Sequence, residues 1–94
     1  MTEELTKEIE QAAETLKSFG AKEVYLFGSA ATGKLREDSD IDMAVSGLPP
    51  RVFYKAYACA IRAISGREMD LINLDSDDPF TRYLKDRGEL KRVG

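Results

Sequence analysis

Asp40 and Asp42 stand two residues apart at the start of an apolar, strand-like run, Ile41, Met43 and Val45. Side chains alternate between the faces of a strand, so both carboxylates are expected on one face, roughly 6–7 Å apart. Like charges held that way repel and raise each other's pKa unless a cation sits between them. A metal site is the chemistry this spacing points to. Upstream, Gly28-Ser29 follows the apolar run 24–27, and ten residues separate it from Asp40. A glycine there lets the backbone turn tightly and come close to a phosphate. A third carboxylate, Asp70, lies in the run EMDLINL, where it alternates with Ile72 and Leu74. Alone it reads as the solvated beginning of a strand. Beside Asp40 and Asp42, three carboxylates on one rim call for divalent cations.

Composition narrows the remaining chemistry. The 94 residues contain no histidine, which removes imidazole acid–base catalysis, histidine triads and histidine–zinc sites. Catalysis must then use carboxylates, lysines, arginines, hydroxyls and bound cations. A net charge of −3 disfavours a general nucleic-acid binder but leaves a nucleotide ligand open, since local charge decides that. The single cysteine, Cys59, cannot form an internal disulfide, and a small packed side chain in a reducing interior is the simpler reading. The start MTEELTKEIEQ is charged and acidic, unlike a signal peptide, and no apolar run approaches ~20 residues. A cytoplasmic protein is expected, with residues 1–94 forming one domain and one modest core.

The elements that must position these groups follow from periodicity. Leu5, Ile9, Ala12, Ala13, Leu16 and Phe19 recur at helical spacing, predicting an amphipathic helix over 2–18 that stops at Gly20. Residues 24–27 form a short strand, with one helical turn at 29–32 after it. Residues 41–45 make the second strand, closed by Ser46-Gly47. Pro49-Pro50 opens a third helix in a position proline tolerates. Phe53, Tyr57, Ala60, Ile61 and Ile64 carry that helix up to Gly66. Its aromatics Phe53, Tyr54 and Tyr57 are expected in the core sooner than against a partner. Residues 68–74 are the third strand, 79–87 a last short helix, and the tail ELKRVG is expected to add little. The order αβ(α)βαβα describes an α/β (α+β) chain, a small sheet flanked by helices.

Other motif readings compete for the same residues. GSAATGK matches a P-loop, but Leu35 stands where serine or threonine should hold magnesium, and polar REDSD follows. Asp38, Asp40 and Asp42 resemble the start of an EF-hand, yet its sixth position is Met43 and its twelfth is Pro49. In aspartyl-nucleophile phosphatases the Asp-x-Asp pair follows the apolar strand, whereas here the apolar residues run within and beyond it. A solvated loop entering a strand is the bland alternative. It leaves Gly28-Ser29, the ten-residue gap and Asp70 unexplained.

Taken together, Gly28-Ser29, the gap, Asp40-x-Asp42 and Asp70 resemble the signature of the minimal nucleotidyltransferases of the DNA polymerase beta superfamily. The likeness covers nearly the whole chain. It implies a mixed sheet with helices packed on it and an active site along one edge. Asp40, Asp42 and Asp70 would be catalytic and would bind Mg2+, two ions, while Gly28, Ser29, Ser39 and Lys34 would bind the nucleotide. The implied activity moves AMP from ATP, or another nucleoside triphosphate, to a hydroxyl. Small members of this family pair with a HEPN-domain toxin and modify one of its tyrosines, as antitoxin of a type VII-like pair. A binding-only antitoxin, transfer to a small molecule or RNA end, and a purely structural subunit are the alternatives. One departure is Ala30-Ala31, where many members carry arginine after Gly-Ser; Lys34 and Arg36 are the candidates to replace that charge. No second domain is available to grip base or acceptor, so an assembly with a partner chain is expected to complete the site.

Overall fold

Thr2 caps the first helix: its hydroxyl accepts the Leu5 N–H at 3.1 Å, and Glu3 and Glu4 in the first turn complement the helix dipole. The computed structural model describes residues 2–94. Helix α1 spans Glu3–Ser18 and buries Leu5, Ile9, Ala12, Ala13 and Leu16 along one stripe. Strand β1 is Glu23–Phe27, the single turn α2 is Ser29–Thr32, and β2 is Ile41–Ser46. A 3-10 turn at Pro50–Val52 leads into α3, Phe53–Ile61; β3 is Met69–Asn73 and α4 is Pro79–Arg87.

The third helix is shorter than its apolar spacing predicts. Arg62, Ala63 and Ile64 N–H groups bond back three residues, to Cys59, Ala60 and Ile61 carbonyls, so the chain tightens out of α geometry. Ile64 is still buried, and the periodicity holds although the helix has ended. Phe53 and Tyr57 pack against the core as expected, whereas Tyr54 is 80% exposed.

The tail departs most from expectation. Lys91–Arg92 forms a fourth strand, β4, antiparallel to β1, and Val93 is buried with its N–H bonded to the Val24 carbonyl at 2.8 Å. The pairing is long-range and its two strand residues are polar, so no local pattern announces it.

The sheet order is β3-β2-β1-β4, with β1 antiparallel to β2 and β4, and β2 parallel to β3. A parallel pair needs a crossover, which the α3 segment supplies. One face, carrying Val24, Leu26, Ile41, Met43, Val45, Met69 and Leu71, packs on α1 and α3. The other carries Phe27 and Ala44 under Leu74 and Leu84 of the α4 region. Among the described residues no helix is long and apolar enough to cross a membrane.

Because β4 is held to the sheet through Val93, Val93→Ala should lower stability by about 1–2 kcal/mol, from lost burial plus a small cavity. Urea unfolding would show this as a lower midpoint at unchanged slope. An unchanged midpoint would mean the tail is only loosely attached.

Candidate active site

Asp42 and Asp70 are direct partners in the parallel ladder between β2 and β3, and Phe27 of β1 is opposite Asp42 on its other side. Alternation fixes which face they share. Ile41 and Met43 are buried under the helices, as are Met69 and Leu71, so Asp42 and Asp70 must point to the opposite face. That face is covered farther along the sheet but left open at this end. Asp42 is half-buried there and Asp70 is exposed. Burial raises the Asp42 carboxyl above its ordinary range, and the charges of Asp70 and Asp40 push it further the same way.

Asp40 lies one residue before β2 begins and is exposed, so strand alternation does not govern it as the spacing suggests. Its charge still reaches Asp42. The expected convergence of three carboxylates is therefore partial: the described residues contain no group of three acidic, cysteine or histidine side chains placed to hold a metal ion.

Gly28 ends β1 and starts α2 with φ 65° and ψ −146°, a conformation essentially reserved for glycine. A Cβ at this position would lie 2.6 Å from Asp42 Oδ2. Backbone and carboxylate are in contact only because the side chain is missing. The first bonded N–H of the turn is that of Ala31, to the Gly28 carbonyl at 3.1 Å, so earlier N–H groups lack intrahelical partners. Ser29 is half-buried at the head of this turn and Lys34 is exposed just beyond it. Ser39 shapes the approach to the rim, since its hydroxyl oxygen accepts the Arg36 N–H at 2.9 Å and closes the turn before Asp40.

Two residues that the motif does not contain hold this rim in shape. Arg67 Nη1 donates to the Arg36 and Ser39 carbonyls, both at 2.9 Å, tying the loop that delivers Asp40 to the segment that delivers Asp70. Tyr57 on α3 donates its hydroxyl to the Met69 carbonyl at 2.6 Å, one residue from Asp70. Burial and the Asp70 charge raise the Tyr57 pKa, which keeps it a donor. Local sequence carries no signal for Arg67, because its partners are carbonyls about thirty positions away.

The donors suit a hard cation. All are carboxylate oxygens, the type that binds magnesium or calcium. The ion pairs among the described residues, Arg82–Asp77 and Arg92–Glu23, leave these three carboxylates without a cationic side chain. A bound cation would relieve the crowding of Asp42 by like charges. Asp42 and Asp70, ladder partners with oxygen donors, fit such an ion in donor type, while Asp40 is not drawn in with them.

Residues 7–90 match the family described as Polymerase beta, Nucleotidyltransferase. No curated protein matches the chain. Among solved structures, a chain from a toxin–antitoxin crystal structure with AMP-PNP is similar at TM-score 0.69 and 22% identity, covering 90% of this chain and 72% of that one. A Sulfolobus solfataricus protein described as a nucleotidyltransferase is similar at TM-score 0.54 and 25% identity, covering 94% and 78%. The first likeness is one of fold, a small mixed sheet flanked by helices as the sequence predicts.

Two outcomes follow for this rim. Because the Asp42 pKa is raised in the folded state, protonation favours folding. That contribution is complete below about pH 4, the unfolded value, and is lost as pH rises through the folded value. Without divalent cations, Asp42→Asn should therefore melt at higher temperature than the parent at pH 7, with the gain vanishing below about pH 4. A pH series of thermal melts checks it, and an equal or lower melting temperature at pH 7 would contradict it. Arg67→Met should cost only about 1 kcal/mol of stability yet weaken magnesium binding several-fold, measured by calorimetry.

Proposed function

The chain belongs to the Polymerase beta nucleotidyltransferase family, and on that premise we propose that it moves AMP from ATP to a hydroxyl of a protein partner. The observation that carries the reading is the ladder pairing of Asp42 with Asp70, with the Gly28 backbone set against the Asp42 carboxylate. A pure binding module has no use for like charges placed side by side next to a glycine cradle.

Asp40, Asp42 and Asp70 would hold magnesium, two ions, which when bound offsets triphosphate charge and makes an attacking hydroxyl more acidic. Gly28 and Ser29 offer backbone N–H groups and a hydroxyl to the terminal phosphates. Lys34 supplies positive charge beside them, in place of the arginine absent at Ala30 and Ala31, and the Ser39 O–H remains free to donate. The acceptor hydroxyl gives up its proton to water, its oxygen forms a bond to the α-phosphorus, the bond from that phosphorus to the bridging oxygen breaks, and pyrophosphate leaves. Arg67 and Tyr57 act on the backbone that carries the carboxylates, keeping Asp40 and Asp70 on one rim.

A HEPN-type toxin, modified on a tyrosine, is the partner this reading favours. Support comes from the likeness to a chain of a toxin–antitoxin complex crystallised with AMP-PNP. A second reading, neutralisation by complex formation with little transfer, is favoured by one observation: the three carboxylates are not already drawn into a cluster.

The test is incubation of the chain and its co-purifying partner with magnesium and α-labelled ATP. Label should pass to the partner, and Asp42→Asn should reduce the rate by at least about a hundredfold, a loss typical of a central charge-stabilising group. Transfer at the parent rate in Asp42→Asn would defeat the mechanism. Partner toxicity still suppressed by Asp42→Asn would favour the binding-only reading.

A further inference from the structure

Next to the carboxylate rim lies a cleft of about 450 Å³ that shares only Gly28 with the site described above. Its floor is Phe27, the ladder partner of Asp42. Gly28 and Thr32 bound it on one side, and Phe80, Tyr83 and Arg87 of α4 bound it on the other. The volume lies within the range of small-molecule sites, about 300–1,000 Å³.

The two α4 rings stand out because the core does not require them. Helix α4 anchors itself with buried Thr81 and Leu84, and Asp78 caps it by accepting the Thr81 N–H at 2.8 Å. Phe80 and Tyr83, one turn apart, are left 51% and 58% exposed. Phe80 meets Phe27 edge-to-face, with centroids 6.1 Å apart, which steadies the ring while much of it remains open. Half-exposed aromatics beside a cleft offer flat apolar faces to a planar ligand.

We propose that this cleft takes the heteroaromatic base of the donor nucleotide; the inference rests on the nucleotide reading of the neighbouring site. Continuity favours a base over a protein side chain. Gly28 forms a wall of the cleft and also borders the Asp42 carboxylate, so a single molecule with phosphates at the rim reaches the rings through its sugar. Apolar surface dominates the cleft, so stacking on Phe80 and Tyr83 carries most of the recognition, and any reading of the base edge falls to Thr32, Arg87 and Glu89, which also line it. Base preference is then graded, with purines ahead of pyrimidines because they offer more stacking surface.

Calorimetric titration with magnesium and three probes tests this: ATP, UTP and inorganic tripolyphosphate, against the parent chain, Phe80→Leu, Tyr83→Ala and Tyr83→Phe. Phe80→Leu keeps an apolar group over Phe27, and Tyr83 is exposed, so both variants should fold. ATP affinity is expected to fall about tenfold in Phe80→Leu and Tyr83→Ala, with UTP affected less. Tripolyphosphate should bind all chains alike, and Tyr83→Phe should behave as the parent. Unchanged ATP affinity in both ring variants would overturn the proposal and leave the rings to a macromolecular partner. Equal loss of ATP and tripolyphosphate would overturn it too, by showing that the rings merely support the rim. If the parent binds tripolyphosphate as tightly as ATP, the base has no subsite and only this proposal fails. If the parent binds none of the three, the nucleotide reading itself falls and takes the subsite with it.

Discussion

Asp42 and Asp70 are forced together by the residues on either side of them. Their ladder neighbours Ile41, Met43, Met69 and Leu71 are buried on the opposite face of β2 and β3. Burying four such side chains contributes roughly 6–12 kcal/mol. Two carboxylates on adjacent strands, about 5 Å apart, repel by at most about 3 kcal/mol at an effective dielectric near 20. Burial wins, so the register holds even though it places like charges side by side. A slip of one residue would relieve the repulsion, but it would turn the apolar set to the open face. The cost of the site is carried by the core beneath it.

That arrangement explains why so much of the surrounding structure concerns backbone. Gly28 gives up its side chain so that the end of β1 can approach Asp42. Arg67 and Tyr57 touch carbonyls, not carboxylates, and fix the two chain segments from which Asp40 and Asp70 project. The rim depends on three strands: β1 for the turn, β2 for one carboxylate and β3 for its neighbour.

Legibility in the sequence followed the range of the interaction. Helix α1 and strand β2 could be read because their apolar periods are local, and α4 because Asp78 and Pro79 announce its start. Gly28-Ser29 and Asp40-x-Asp42 were readable as one contiguous segment. Strand β4 was not, since Lys91 and Arg92 become a strand only by pairing with β1. The early end of α3 was hidden because Ile64 keeps helical spacing after the helix has tightened. Asp40 has the spacing of a strand residue, but the strand begins one residue later. Arg67 was invisible for the same reason as β4, its partners being distant in the chain.

The parallel pairing of β2 with β3 has a consequence for when the rim comes into existence. Antiparallel β1 and β2 can meet early, across the loop that carries Gly28, and would bring Asp42 to that glycine by themselves. Asp70 arrives only when the whole α3 crossover has been traversed and laid against α1, a closure that pays its entropy before any contact repays it. The pairing of Asp42 with Asp70 is therefore no detachable loop that can open while the rest of the sheet stays folded. The rim forms only once β2 and β3 pair across that crossover, so the fraction of chains that present both carboxylates together tracks the fraction in which this pairing is intact.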